Sequence, residues 1–247
     1  MVITESISKQ FTDGKKQILA VNSINFTAIP GEIHALLGVN GAGKTTLLRM
    51  LSTVIRPTTG TATLQGFSID SDAAKVRQSI GFLSTSTALY GRLTGRELLS
   101  YFGSLYGFNG SELKDRVQSA VAQTKSEEFC DQLCDRMSTG QKQRISIARA
   151  IVHEPPILLF DEPTAGLDIL ASQTVLEFLE SAREKQKTIV FSTHNMNEVE
   201  RLADRATIIN QGEVKGTGTL SEIKNLTSQP TTELAFLSLI RPQEVSA

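Results

Sequence analysis

Gly38-Val39-Asn40-Gly41-Ala42-Gly43-Lys44-Thr45 follows a short, mostly apolar run, Ile33–Leu37, and precedes Leu47, Leu48, Met50 and Leu51, which recur at helical spacing. The order is strand, glycine loop, helix. In that setting the pattern G-x-x-x-x-G-K-[S/T] describes a loop that holds phosphate. Its glycines let backbone N–H groups turn inward around an anion without Cβ clashes. A helix beginning near Thr45 aims the positive end of its dipole at the same anion. Lys44 has the reach for β- and γ-phosphates, and the Thr45 hydroxyl suits a Mg²⁺ ion. A chance glycine-rich turn is the plainer reading, and the flanking strand and helix argue against it.

A second stretch, Ile157-Leu158-Leu159-Phe160-Asp161-Glu162, is an apolar strand ending in two acids. Carboxylates at the carboxyl end of a buried parallel strand sit beside the phosphate loop in open α/β sheets. Asp161 then suits Mg²⁺, through water, and Glu162 is free to act as general base on an attacking water. Alone, such an end is more often a solvated strand terminus; paired with the upstream loop it carries weight.

Outward from these two stretches the chain is alternating. Ile24, Phe26 and Ala28 alternate with Asn25 and Thr27, so the first 30 residues read as strands. Further strands are expected at 62–64, Ile80–Leu83, 157–160 and 188–192, with helices up to His153 and over about 171–185. That alternation implies a parallel sheet with helices on its faces. Residues 206–210 and Gln211-Gly212 read as a final hairpin. Residues 94–125 differ in texture: Leu98, Leu99, Phe102, Leu105 and Tyr106, then Leu113, Val117, Ala120 and Val121, fall at helical spacing, as a helical insertion would. Leu234, Phe236, Leu237 and Leu239 suggest a short terminal helix. Cys130 and Cys134, four apart, could share a helix face; without further ligands nearby they read as reduced thiols.

With these pieces in order, the sequence resembles the ATP-binding-cassette (ABC) ATPases over residues 1–220. Met137-Ser138-Thr139-Gly140-Gln141-Lys142-Gln143-Arg144 is similar to their signature segment, Ala165-Gly166-Leu167-Asp168 to their D-loop, and His194 in Phe191-Ser192-Thr193-His194 to their switch histidine. The resemblance implies an α/β fold: a phosphate-loop NTPase core with a parallel sheet, an N-terminal antiparallel β subdomain and an inserted helical subdomain. It implies an ATPase domain over 1–225, with the insertion at about 87–136, and a short tail at 226–247, helical in part. ATP and Mg²⁺ would be the ligands. Catalysis would fall to Glu162, His194 and Lys44, and the metal to Thr45 and Asp161. Nucleotide contacts would come from Gly38, Asn40, Gly41, Ala42, Gly43, Lys44, Thr45 and Thr46. Phe11, which a core role would explain as well, would stack on adenine. In a head-to-tail dimer, Ser138 and Gly140 of one subunit would close over the γ-phosphate held by Lys44 of the other, with Gln141 a further nucleotide contact and Asp168 crossing the interface. Met137 and Thr139 depart from the usual Leu and Gly, and Thr85 stands where relatives carry a glutamine that touches Mg²⁺ and the membrane partner.

Residues 88–94 (Ala-Leu-Tyr-Gly-Arg-Leu-Thr), the short insertion and Glu233-Leu234-Ala235-Phe236-Leu237 resemble the exporter branch that includes sodium-export ATPases of the NatA type, and that also handles drugs, lipids and polysaccharides. The leading expectation is therefore the ATPase subunit of an exporter, paired as a homodimer or with a related subunit and docked on separate transmembrane permease subunits. Composition agrees: 247 residues, 40% apolar, 21% charged, net charge −1. Such a chain folds, and it carries no global basic field for nucleic acid. With no apolar run near the roughly 20 residues of a membrane span and no signal-like start, it is expected in the cytoplasm, peripheral on the inner face of the membrane. A soluble ABC-type ATPase acting on nucleic acid or ribosomes would be expected to carry two cassettes or a coiled coil. A regulatory module without turnover would be expected to lack Glu162 or His194.

Overall fold

The computed structural model describes residues 1–14, 16–84 and 88–241. The chain runs through β1 (Val2–Asp13), β2 (Lys16–Ile24), β3 (Thr27–Ala28), β4 (Ile33–Leu37), α1 (Lys44–Leu51), β5 (Thr59–Leu64), β6 (Phe67–Ser68), α2 (Ala73–Ser79) and β7 (Ile80–Leu83). Helices α3 (Gly95–Leu105), α4 (Gly110–Gln123) and α5 (Thr139–Ile151) follow, then β8 (Ile157–Asp161), α6 (Ile169–Glu184), β9 (Thr188–Thr193) and α7 (Met196–Leu202). The last elements are β10 (Arg205–Asn210), β11 (Glu213–Gly218), α8 (Leu220–Thr227) and α9 (Thr232–Ile240).

Among the described residues the strands form two sheets. One is antiparallel, in the order β2-β1-β5-β6 with β3 on β1. The other runs β11-β10-β4-β9-β8-β7 and is parallel except for the β10–β11 hairpin. Every residue of β4, β8 and β9 is buried, because helices cover one face of the parallel sheet and α1 with the antiparallel sheet covers the other. Successive side chains serve opposite cores. Ala35, Leu37, Leu158 and Phe160 join the core beneath the helical region, whereas Leu36, Leu159 and Val190 pack with Leu47, Leu48 and Leu51 of α1. Phe160 is fully buried and stacks on Phe178 at 6.1 Å; Phe160→Ala would cost about 3–5 kcal/mol.

The helical insertion consists of α3 and α4, which pack on each other and on α5. A full capping box starts α3, with Thr94 accepting from Glu97 N and Glu97 from Thr94 N. Cys130 and Cys134 are both buried but share no helix: Cys130 lies in a turn and Cys134 opens a 3-10 turn ending at Arg136. Gly110 and Ser111 are the first two residues of α4, and the hairpin turn is Gln211-Gly212, as expected. The boundary expected at 225 falls inside α8, and α9 sinks Ala235 and Phe236 into the core under the parallel sheet. Thr85 lies outside the described residues.

Candidate active site

Strand register sets the site. Leu37 of β4 pairs with Thr193 of β9, and Ser192 of β9 pairs with Asp161 of β8. Three strand ends are thus level, and the loops leaving them converge. The loop after β4 leads into α1, which begins at Lys44. Asn40, Gly41, Ala42, Gly43, Lys44, Thr45 and Thr46, with Ala20 and Glu162, line a cleft of about 140 Å³. The first N–H groups of a helix have no intrahelical acceptor, so α1 turns donors toward that cleft.

Lys44 is almost fully buried. Its ammonium donates to the carbonyls of Gly38 (2.6 Å) and Val39 (3.2 Å) and lies 3.6 Å from Glu162 Oε1. Burial pulls its pKa below the ordinary lysine value, against the attraction of Glu162 and Asp161. Thr45 Oγ1 donates to Asp161 Oδ1 at 3.0 Å, and Ser192 Oγ donates to the same oxygen at 2.7 Å. Asp161 Oδ2 is buried and has no hydrogen-bond partner among the described residues. A carboxylate oxygen so placed, beside the Thr45 hydroxyl, suits an oxygen-seeking divalent cation. The donor set therefore fits Mg²⁺ at Thr45 and Asp161.

Glu162 takes φ 45°, a left-handed conformation uncommon for a residue with a side chain. Its N–H donates to both Ser192 Oγ (2.9 Å) and the Ser192 carbonyl (3.2 Å), which holds the turn. The carboxylate thereby faces Lys44, and Oε1 stands 3.3 Å from His194 Nδ1. The His194 ring is otherwise well exposed.

The other expected residues lie apart. Ser138 caps α5, its hydroxyl accepting from Gln141 N while Gln141 Oε1 accepts from Ser138 N. Both side chains are thus engaged in a helix cap, and neither lines the phosphate-loop cleft. Gly140 packs so closely on α6 that a Cβ would stand 2.8 Å from that of Ala171. Asp168 caps α6 by accepting from Ala171 N at 2.8 Å. Phe11 is 40% exposed on β1 opposite Ile18, with the Lys9 ammonium 5.3 Å from its ring, and does not line the cleft.

Ser192 is a supporting residue that the sequence hides, because a lone serine in an apolar strand reads as strand. Glu198 and Thr164 are two more. Asn195 and Glu198 have the spacing of a helix cap, and that spacing was the one signal available.

Residues 21–165 match the family described as ABC transporter, and a second description, an AAA domain, matches 132–200. The chain is 41% identical over 224 residues to the ABC transporter ATP-binding protein NatA of Bacillus subtilis, covering 90% of this chain and 91% of that protein. It is 37% identical to the linearmycin resistance ATP-binding protein LnrL of the same organism, covering 90% and 70% respectively. Among solved structures it is similar to the dimeric post-hydrolysis state of the ATP-binding cassette MJ0796 bound to ADP and Pi. There the TM-score is 0.81 at 27% identity, with 89% of this chain and 98% of that one covered.

Proposed function

The chain belongs to the ABC transporter family, and from that premise we propose that it hydrolyses Mg-ATP as the ATPase subunit of a membrane exporter. The observation that carries the proposal is the meeting of Lys44, Thr45, Asp161, Glu162 and His194 at the level ends of β4, β9 and β8. Lys44 and the backbone of 38–46 bind the phosphates. Thr45 and Asp161 hold Mg²⁺, which when bound offsets charge building on the transferred phosphoryl group. Glu162 accepts the proton of the attacking water, and His194, in contact with Glu162 Oε1, orients it.

The complete site is composite. A relative of the same fold is dimeric with ADP and Pi, which supports Ser138, Gly140, Gln141 and Asp168 acting from a second copy. The ATPase unit takes in α8 and α9 as well, since α9 buries Ala235 and Phe236 in the common core. Phe11 offers its exposed face to the base, a contact that favours a purine by stacking alone. We propose that the chain docks on transmembrane permease subunits, which provide the transport path; no helix of the described residues is long and apolar enough to cross a membrane. The protein then works peripherally on the cytoplasmic face of the membrane. A relative named for resistance to linearmycin fits outward movement of a small-molecule cargo.

The test is Mg-dependent ATPase activity of purified protein. Lys44→Ala should abolish it, and undiminished turnover would refute the assignment. Mixing Lys44→Ala with Ser138→Arg subunits should restore activity, because each mixed dimer regains one composite site. No recovery on mixing would refute the trans arrangement.

A further inference from the structure

Glu198, on α7, is buried at 7% exposure, and no lysine or arginine pairs with it among the described residues. Its charge is held by hydroxyls and an amide instead. Thr164 Oγ1 donates to Oε1 at 2.5 Å, Thr193 Oγ1 to Oε2 at 2.7 Å, and Asn195 Nδ2 to Oε1 at 3.3 Å. Thr193 Oγ1 in turn accepts from Asn195 N at 3.0 Å. An acid near a helix start ordinarily faces solvent and serves the dipole. This one reaches 34 residues back along the chain to Thr164.

The positions of its partners give the contact meaning. Thr164 lies on the loop that carries Glu162 at one end and Asp168 at the other, and Thr193 immediately precedes His194. The two loops wall a cleft of about 210 Å³ with Glu162, Thr164, His194 and Glu198 on its lining. We propose that Glu198 is a positioning residue that locks the Asp168 loop to the His194 loop, so that a shift of one is transmitted to the other. The proposal rests on the ATPase reading and deepens it. Contact by a second subunit at Asp168 would thereby adjust His194 against Glu162 Oε1, which couples dimer formation to the alignment of the water-activating pair. Short bonds to an ionised carboxylate are the strong class of hydrogen bond, and loss of the acid would strand two threonine hydroxyls.

The experiment is amide hydrogen exchange on the full chain, with ATPase kinetics alongside. In Glu198→Ala, exchange at both 164–168 and 193–195 should quicken by about tenfold or more, as local opening of one cooperative unit requires. Thr164→Val and Thr193→Val, each cutting one side of the lock, should loosen both segments, and they serve if Glu198→Ala does not fold. Turnover of Glu198→Ala should fall about tenfold while ATP affinity holds within about twofold. On a His194→Ala background the same substitution should add less than about a twofold loss, since both act through one group. Exchange that quickens at 193–195 alone, or losses that multiply in full with His194→Ala, would overturn the lock. Exchange is read without turnover, so an inactive wild type would count against the ATPase reading and leave the lock to be judged on its own.

Discussion

Thr45 Oγ1 donates to Asp161 Oδ1 at 3.0 Å, joining the first turn of α1 to the end of β8 across 116 residues of chain. Ser192 reaches the same oxygen from the strand between them. Both donors converge on Oδ1 and leave Oδ2 buried without a partner among the described residues. An acceptor stranded in this way costs about 1–3 kcal/mol. A cation at this point would give Oδ2 the partner that the described residues do not supply.

Asp161→Asn should accordingly leave the free chain at least as stable as wild type, because it removes a buried charge. It should also lose the thermal stabilisation that Mg²⁺ adds to ATP, about 2.7 kcal/mol at a hundredfold excess over Kd. Differential scanning calorimetry with ATP, with and without Mg²⁺, checks both halves. An undiminished Mg²⁺ increment in Asp161→Asn would remove this residue from the metal site.

Glu162→Gln should lower kcat by roughly 10²–10⁴-fold, the range for loss of a general base, with ATP binding retained. The amide also removes the charge 3.6 Å from Lys44 Nζ, so the phosphate-binding cation loses a competitor and nucleotide affinity should not fall. With hydrolysis blocked, the ATP-bound dimer should accumulate. Size-exclusion chromatography in saturating Mg-ATP that shows monomer alone would tell against the two-subunit site.

What the sequence revealed follows a physical divide. The phosphate loop, the Asp161-Glu162 strand end and the helical texture of 94–125 are contiguous strings whose meaning depends on near neighbours. Pairing of distant elements is not written locally: nothing in 188–192 tells that β9 inserts between β4 and β8, although that insertion brings His194 to Glu162. Ser192, Thr164 and Glu198 were illegible for the same reason, their decisive partners lying about 30 residues away. The cysteines misled because a four-residue spacing matches a helix whether or not one forms. The ends of α1 and α6 came one or two residues early, as helix ends commonly do.

Two loop glycines separate conformational strain from steric contact. Gly41 has φ 81° with no atom near an added Cβ, whereas Gly43 has φ 111° and an added Cβ would stand 2.5 Å from the Ala20 carbonyl oxygen. Gly41→Ala should cost the left-handed penalty alone, about 1–2 kcal/mol. Gly43→Ala carries strain and an overlap with backbone that cannot swing aside, so its loss should be clearly larger. Urea unfolding of the two variants gives the comparison. Equal losses would mean that the β2 backbone yields and the loop is not held against it.

Acid should weaken the fold through two histidines. His34 is buried on β4 with Nε2 2.8 Å from Thr207 Oγ1, and burial, with the nearby Arg205 charge, pushes its pKa down to about 4. His153 stacks on Tyr106 at 3.8 Å and donates from Nε2 to the Ile80 carbonyl; burial, partly opposed by that bond, likewise lowers its pKa to about 4. The unfolded chain protonates these rings near pH 6.5, while the folded chain resists until about pH 4. Their contribution is therefore whole above pH 6.5 and is lost as pH falls through that window. At pH 5 each ring should have withdrawn about 2 kcal/mol, from 1.36 kcal/mol per unit over about 1.5 units. Urea unfolding between pH 6 and 5 should show uptake of about 1.7 protons, a slope of about 2.3 kcal/mol per pH unit. His153→Phe keeps a ring against Tyr106 but cannot titrate, so it should halve the slope. A wild-type slope under about half a proton would mean that both imidazoles already protonate within the fold, and that their burial does not hold them neutral.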